Sequence, residues 1–545
     1  MGDSGRPVPR LIPGNDGVQV EWQGRRLLSA KPVEGQRRRL PGIPDEQTLY
    51  LILSPLLGQG LSDFLKDIPR SSAALLLEFE PALADLRRHP LAIGSKISAD
   101  WITDLSLFSD AVEQTVRKRG IRRVQAASLS GGSHLHRDAY RRCERTANDL
   151  VQRYWKNRGT EIRLGRRWIS NIWKNAPLRT VNYRSLHGTI TPTVILVGAG
   201  PSLDYALPLL RRAHSLAVPL VAIDTALPSL AAADLPVDIV ISMDGQLANA
   251  ADLMPWKWDS ALLLSDLSCH HSVVRRFSPE RRVLFSTHFS RLHLLNSPVT
   301  AGIPRFIPRG SVAPTAVEIL YRLFGVEEII AVGLDFWYRL PRTHSSLAMH
   351  HRHILSSAVR TTGNDGPAAW SNRPWVECTL KNGTPGTADG VLADQAEQLR
   401  HLLKGLYKEN GRFHLYQLSG EGLDIGGEVV SLAEAEKLIE KAGETPLPPL
   451  NADGTDPTEE RRDALKDYLQ RLRVQEEILA DAGRPVRLDA GLDFAWFDLP
   501  QWPLVNLRGD WAEMHRAGLL RAVRDHRRRI YRGLKSVDVS LPDFP

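Results

Sequence analysis

Short apolar runs, most of them rich in β-branched residues, recur along the middle of this chain. Each is followed by a polar or glycine-containing turn and then by an amphipathic stretch. Val194–Val197, Leu220–Ile223, Ile239–Ser242, Ala261–Leu264, Arg282–Phe285 and Glu328–Val332 read as strands. The stretches after them, Leu203–Arg212, Ala226–Ala233 and Ala316–Phe324 among them, read as helices. Strands that are apolar throughout, alternating with helices, predict a mostly parallel sheet covered on both faces. The fold class expected is therefore α/β, with a central Rossmann-like sheet over residues 191–430.

The flanks follow other patterns. Residues 1–45 are rich in Arg, Pro and Gly, with a hairpin expected around Val18–Gly24. Leu49–Leu53 reads as a strand, Gly58-Gln59-Gly60 as a turn, and a short helix should end near Ile68. A second strand, Ala73–Phe79, ends at Glu80-Pro81. This makes a smaller N-terminal α/β domain, residues 1–115, with a faint nucleotide-binding spacing of glycines and acid. Its glycine signature is thin, and a structural domain without ligand is the reading it supports. A basic helical connector is expected over 116–190, with residues 131–180 mainly helical. A helical C-terminal region is expected over 431–545, with a proline-rich linker at Thr445–Pro457 and helices at Thr458–Asp481 and Trp511–Leu534. No internal repeat is evident.

Composition narrows the class. At 545 residues, 42% hydrophobic and 24% charged, the chain reads as an ordinary multidomain globular protein. No apolar stretch approaches the ~20 residues of a membrane span, and the N-terminus has no signal-like apolar run, so a cytoplasmic location is expected. Cys143, Cys269 and Cys378 lie far apart and form no disulfide framework or metal knuckle. The net charge of +8 is uneven: Arg117–Arg184 holds 18 Lys/Arg against four acids, which leaves the remainder net negative. Basic residues interleaved with Tyr154, Trp155, Trp168 and Trp173 suit nucleic acid, an acidic membrane surface or an acidic partner, or else a solvated helical connector whose aromatics dock on a neighbouring domain. No recognised nucleic-acid motif accompanies them, so nucleic acid is not expected and docking is favoured.

The densest candidate chemistry is Thr193-Val-Ile-Leu-Val-Gly-Ala-Gly-Pro-Ser-Leu-Asp204. Gly198 and Gly200 remove Cβ atoms that would hold a phosphate off the backbone. Pro201 suits a first helical turn, and Ser202 offers a hydroxyl beside unpaired N–H groups. The spacing departs from Gly-x-Gly-x-x-Gly, so a plain tight βα connection explains it as well. Asp224 and Thr225 follow the next strand, with Asp224 placed either to accept a ribose hydroxyl or to cap a helix. Asp244 could meet Mg²⁺ or a substrate hydroxyl, or serve as a turn residue. Gly310 and Ser311, after Arg309, open another helix and suit a phosphate or carboxylate, with ordinary capping by Ser311 as the competing explanation. Asp335, Tyr338 and His344 form a plausible acid/base group near the end of the Glu328–Val332 strand. His350, His351 and His353 lack the i, i+4 pairing of helical zinc sites, and no metal site is expected.

The order of these motifs resembles the motility-associated factors, a family of flagellin glycosyltransferases whose central domain is shared with MptE-like 6-hydroxymethylpterin diphosphokinases. Val197–Leu203, Ile223–Leu227, Val237–Asp244, Gly310–Ala313, Val332–Asp335, Thr343-His344 and Tyr416–Gly426 carry the resemblance. The Gly-x-Gly-Pro-Ser-Leu turn and the Gly-Leu-Asp-Phe strand end also resemble bacterial sialyltransferases. The resemblance implies transfer of a nonulosonic acid from a CMP-activated donor to Ser/Thr of flagellin, in support of filament assembly and motility. Under it Gly198, Gly200, Pro201 and Ser202 would surround the CMP, and Thr225 and Asp244 would line the nucleotide or sugar. Gly310 and Ser311 would meet a phosphate or sugar carboxylate, while Asp335, Tyr338 and His344 would lie where donor and acceptor meet. Partners would be flagellin and the nucleotide-sugar, and no cofactor is firmly implied. Two further readings are a Mg²⁺- and ATP-dependent diphosphokinase and a non-catalytic flagellin-binding chaperone.

Overall fold

The computed structural model describes residues 8–93, 100–253, 260–287, 298–338, 343–349, 374–443, 457–486, 489 and 516–537. Every strand expected in the central region is present. In chain order the strands there are β8 (Thr193–Val197), β9 (Leu220–Ile223), β10 (Ile239–Ser242), β11 (Leu262–Asp266), β12 (Arg282–Thr287), β13 (Arg305–Phe306) and β14 (Glu328–Val332), then β17 (His414–Leu418) and β18 (Glu428–Val430). They form one sheet in the order β13-β12-β11-β10-β9-β8-β14-β17-β18, and every pairing is parallel. β9 and, after their polar first residues, β8 and β14 are apolar throughout, as expected where helices cover both faces of a sheet.

Strand order reverses between β8 and β14. From β8 the chain steps outward through β9 to β13, then returns to the other side of β8 with β14. All strands being parallel, their C-terminal ends share one edge of the sheet, and the crevice at the reversal is where open α/β sheets receive ligands. Both the glycine turn after β8 and the Gly-Leu-Asp turn after β14 lie there. The short strands β13, β17 and β18, and the hairpin β15 (Trp375–Thr379) with β16 (Pro385–Asp389), were not anticipated. They are short or polar, and the hairpin strands are largely exposed, so no apolar run marks them.

The chain divides into two compact units, with a boundary at Arg163/Leu164. One helix, Arg137–Asn175, runs through that boundary. β7 (Arg123–Ser128), assigned to the connector from sequence, is a strand of the N-terminal sheet. The C-terminal helix belongs to the second unit from Ala517 on; it spans Arg516–Lys535, and the preceding 511–515 lie outside the described residues. The helix at Thr458–Ala480 matches expectation, whereas most of the Thr445–Pro457 linker lies outside the described residues. The aromatics of the basic helix are docked: Trp173 is fully buried, and its indole N–H donates to His526 Nδ1 at 3.4 Å. Asn171 and Asn175, on the same face, donate to the carbonyls of Gly245, Leu267, Ser268 and Cys269. Arg461, also fully buried, donates to the carbonyls of Ala176, Leu178 and Ala301 and so ties the Thr458–Ala480 helix into the second unit. No helix among the described residues is long and apolar enough to cross a membrane.

In the N-terminal unit, β1 (Arg10–Pro13), β2 (Val18–Trp22) and β3 (Arg25–Arg26) form an antiparallel sheet, with the expected hairpin turning at Gln23-Gly24. β4 (Thr48–Leu53), β5 (Ala73–Leu77), β6 (Asp100–Ile102) and β7 form a parallel sheet in the order β6-β5-β4-β7. Glu78 leaves β5 fully buried, accepting from Ser54 Oγ at 2.9 Å and Tyr140 Oη at 3.3 Å. Glu80 pairs with His136 at 3.1 Å. Both acids at this sheet edge thus have partners from within the unit.

Burial pushes the Glu78 carboxyl up from 4.5 to about 7 against the opposing hydrogen bonds. Between those values the folded chain holds a proton that the unfolded chain has released. Stability is therefore complete below about pH 4.5 and falls as pH rises towards 7, by up to about 3 kcal/mol. Glu78→Gln, which keeps the shape without the charge, should remove that pH dependence from urea melts recorded at pH 5 and pH 8. Parallel pH profiles for the variant and the parent chain would refute this account of Glu78.

Candidate functional site

The glycine bend and the end of β14 interlock. Gly198 N–H donates to Val332 O at 2.8 Å and Gly200 N–H to Gly333 O at 2.8 Å. Ser202 N–H donates to Asp335 Oδ2 at 2.8 Å, and Ser202 Oγ accepts from Gly333 N–H at 3.1 Å. A Cβ on Gly200 would collide with Asp335 Oδ2, and one on Gly198 would sit 2.5 Å from Gly333 O. Glycine is required at both positions, but for a neighbour within the chain. This corrects the expectation that the bend's N–H groups await a phosphate: three of them are taken by β14 and the turn after it. Pro201 has no N–H to offer, and Ser202 is buried.

Asp335 is likewise buried, 4% exposed, with Lys381 Nζ 3.8 Å from its Oδ1. Burial pushes this carboxyl up, opposed by Lys381 and by the Ser202 hydrogen bonds; burial also pushes the Lys381 ammonium down, opposed by Asp335. Its main-chain carbonyl accepts from Leu423 N–H at 2.9 Å. Asp335 therefore acts as a clamp inside the sheet edge, not as the solvent-facing acid expected. Lys381 was missed from sequence because it sits in the β15–β16 turn and belongs to no motif. Phe336, next in the chain, holds φ at +47°, an unfavourable conformation for a bulky residue that the flanking contacts impose.

Segment 343–349 lies over the bend. Ser345 N–H donates to Ala199 O at 2.8 Å, Ser345 Oγ is 2.6 Å from Ser229 Oγ, and Ser346 N–H donates to the Asp204 carboxylate at 3.0 Å. This places half-buried His344 beside the bend, with its Nδ1 2.8 Å from Thr343 Oγ1. Tyr338 is also half-buried. His350, His351 and His353 lie outside the described residues.

Along the same edge Asp224 is 2% exposed, its carboxylate accepting from Thr225 N–H, Ser242 Oγ and Asn249 Nδ2 at 2.6–2.8 Å. Burial raises it to about 6. Its side chain makes no helix cap, which corrects that expectation. Thr225 and Asp244 are half-buried. Asp244 accepts from Gln246 N–H at 2.9 Å, the turn-residue arrangement. Asp252 joins these acids electrostatically: burial first, then Asp224 and Asp244, raise it to about 7. Among the described residues no group of three or more His, Cys, Asp or Glu is arranged to hold a metal.

The helix after Gly310 runs Val312–Ile319 and continues as a π turn, Leu320–Phe324. Ser311 makes no side-chain cap, so the capping explanation fails there. Arg309 does not point its charge at an open helix end; its Nε donates to Glu318 at 2.8 Å. Of the candidate groups, Thr225, Asp244, Ser311, Tyr338 and His344 are partly exposed, whereas Asp224 and Asp335 are buried.

A family model described as 6-hydroxymethylpterin diphosphokinase MptE-like matches residues 167–340, the part of the chain running from the end of the long helix to Leu340. An uncharacterized protein of Treponema pallidum (strain Nichols) is 26% identical over 457 residues, covering 80% of this chain and 77% of that one. Among solved structures, a MAf glycosyltransferase from Magnetospirillum magneticum AMB-1 is similar with a TM-score of 0.56 at 14% identity, over 98% of this chain and 92% of that chain. At that identity the likeness is one of fold. Both resemblances drawn from the motifs, to MptE-like domains and to motility-associated transferases, are met by these matches.

Gly200→Ala tests the interlock directly. Its Cβ has no space beside Asp335, so the variant should lose about 1–3 kcal/mol in denaturant melts, as overpacked cores do. Asp335→Ala should cost about 3–5 kcal/mol, because it leaves Lys381 buried without its counter-charge. Unchanged midpoints in both variants would refute the clamp.

Proposed function

We propose that this chain is a glycosyltransferase that moves a nonulosonic sugar from a CMP-activated donor to a Ser or Thr hydroxyl of flagellin. The observation that carries the reading is the seating of Thr343–Ser346 on the bend at the β8/β14 reversal. It sets an imidazole beside the crevice in a fold shared with a MAf glycosyltransferase.

In this mechanism His344 is the base. With Nδ1–H donating to Thr343 Oγ1, Nε2 holds the lone pair that accepts the acceptor's hydroxyl proton. The freed oxygen bonds to the anomeric carbon as that carbon's bond to the phosphate oxygen breaks, and CMP leaves with the electron pair. Inversion follows from attack opposite the leaving group. Tyr338 would donate to the departing phosphate, and Ser311 with the main-chain N–H groups at the start of its helix would face the sugar carboxylate. Thr225 and Asp244 would contact nucleotide or sugar hydroxyls. The bend gives this site its shape through its packing and contributes no phosphate donors from Gly198, Gly200 or Ser202.

The MptE-like match supports a second reading, transfer of diphosphate from Mg²⁺-ATP to a pterin alcohol. The two part cleanly in a thermal-shift comparison: the first expects stabilisation by CMP, the second by Mg²⁺-ATP alone. For the transferase, incubation with CMP-sialic acid analogues and flagellin should release CMP. His344→Ala should lower kcat about 10²–10⁴-fold with little change in donor KM. Absence of both CMP binding and CMP release would overturn the proposal, and retained flagellin capture would then favour a chaperone.

A further inference from the structure

Three elements of the second unit press their cations together beside the Asp244 loop. The end of the long helix supplies Lys174. The turn after β11 supplies His270, His271 and, one helical turn on, Arg275. The C-terminal helix supplies Arg529 and Arg532, three residues apart and so on one face. Their approach is fixed by packing: a Cβ on Gly533 would collide with Trp173 O and fall 3.5 Å from Lys174 Cα. Lys174 Nζ is 3.5 Å from His271 Nδ1, the His270 and His271 rings are 4.6 Å apart, and Arg275 donates to Ser536 Oγ at 2.5 Å. His270 N–H donates to Asp244 O at 3.0 Å, which joins the cluster to that loop.

Among the described residues, the charges acting on Lys174 and His271 are all positive. Burial, then Arg275, Arg529 and Arg532, hold the Lys174 ammonium below its ordinary value. Burial, then Lys174, His270 and Arg275, push His271 down to about 4, so at neutral pH it is an uncharged ring between cations. Asp525 acts on Arg529 from the preceding turn, while Glu476 is held by Arg524 and Arg527. A folded chain that crowds like charges around a half-buried ammonium, two of them on exposed arginines, bears a repulsion that a bound anion would relieve.

We propose that Lys174, His271, Arg275 and Arg532 form a binding site for a compact, multiply charged oxyanion of the phosphate type. Compactness argues for this ligand over an acidic protein segment. His271, Arg275 and Arg532 gather around the single ammonium of Lys174, whereas peptide carboxylates carry one charge each and are spaced along a chain. The site is independent of the transferase reading, because none of these residues takes part in it. Pyrophosphate and a nucleoside diphosphate share the required chemistry.

The test uses the full chain at fixed ionic strength, titrated with pyrophosphate and separately with CDP, by calorimetry and thermal shift. Binding should raise Tm, and Lys174→Gln and Arg532→Gln should each weaken Kd tenfold or more. Lys174→Gln should also raise the Tm of the unliganded chain, since it removes a repelled charge. Lys404→Gln, an exposed control, should change neither. Loss of CDP and pyrophosphate binding together assigns the site to nucleotide phosphates, and loss of pyrophosphate alone assigns it to the free anion. No binding, equal loss in Lys404→Gln, unaltered binding in both variants, or capture of a polyglutamate peptide in place of either phosphate would each overturn the proposal.

Discussion

The carboxylate of Asp335, accepting from Ser202 N–H and pressed against Gly200, is the contact on which the central sheet edge depends. β8 and β14 are adjacent strands whose outgoing chains turn in opposite senses, so their ends would part and expose a row of main-chain donors. The clamp closes that gap. Gly198 and Gly333 let the two backbones meet, Ser202 Oγ accepts from Gly333 N–H, and Lys381 offsets the buried charge. A glycine bend with free N–H groups and a glycine bend holding an internal carboxylate have the same local sequence. They differ only in what another part of the chain brings to them.

That difference marks the boundary of what was legible. The six apolar runs became strands because a strand buried on both faces needs nothing but apolar side chains, and nearby residues supply that signal. The hairpin turn at Gln23-Gly24, the long basic helix and the Thr458–Ala480 helix were legible for the same reason: each is specified by its own neighbours. β13 and β18, with two and three residues, carry no periodicity, and Lys381 reaches Asp335 only because a hairpin returns it from far along the sequence. Charge composition set residues 116–190 apart, whereas Trp173, Asn171 and Asn175 use one face of that basic stretch for burial and carbonyl capping.

The candidate site was legible in its residue types more than in its roles. Asp224, Asp266 and Asp335 all end up buried at or just beyond strand ends, where an aspartate can gather the hydrogen bonds that parallel strands leave open. Asp266 accepts four, from the N–H and hydroxyl groups of Ser268 and Thr287, at 2.6–2.9 Å. A sequence reader sees an acid after a strand and thinks of a ribose. The structure uses these acids to tie the edge together through internal hydrogen bonds.

Electrostatics along the edge then take on a direction. Burial and mutual repulsion raise Asp224 and Asp252 to about 6 and 7, so the β9–β10 end carries protonatable acids in the neutral range. The loop after β11 leads at once to Lys174, His271 and Arg275, where repulsion works against positive charge instead. Acids and cations stand within one loop of each other yet do not pair: Asp244 turns its carboxylate to Gln246 while its carbonyl accepts from His270 N–H. Pairing them would relieve both strains at once. Their separation instead keeps the acids towards β9 and the cations towards the C-terminal helix.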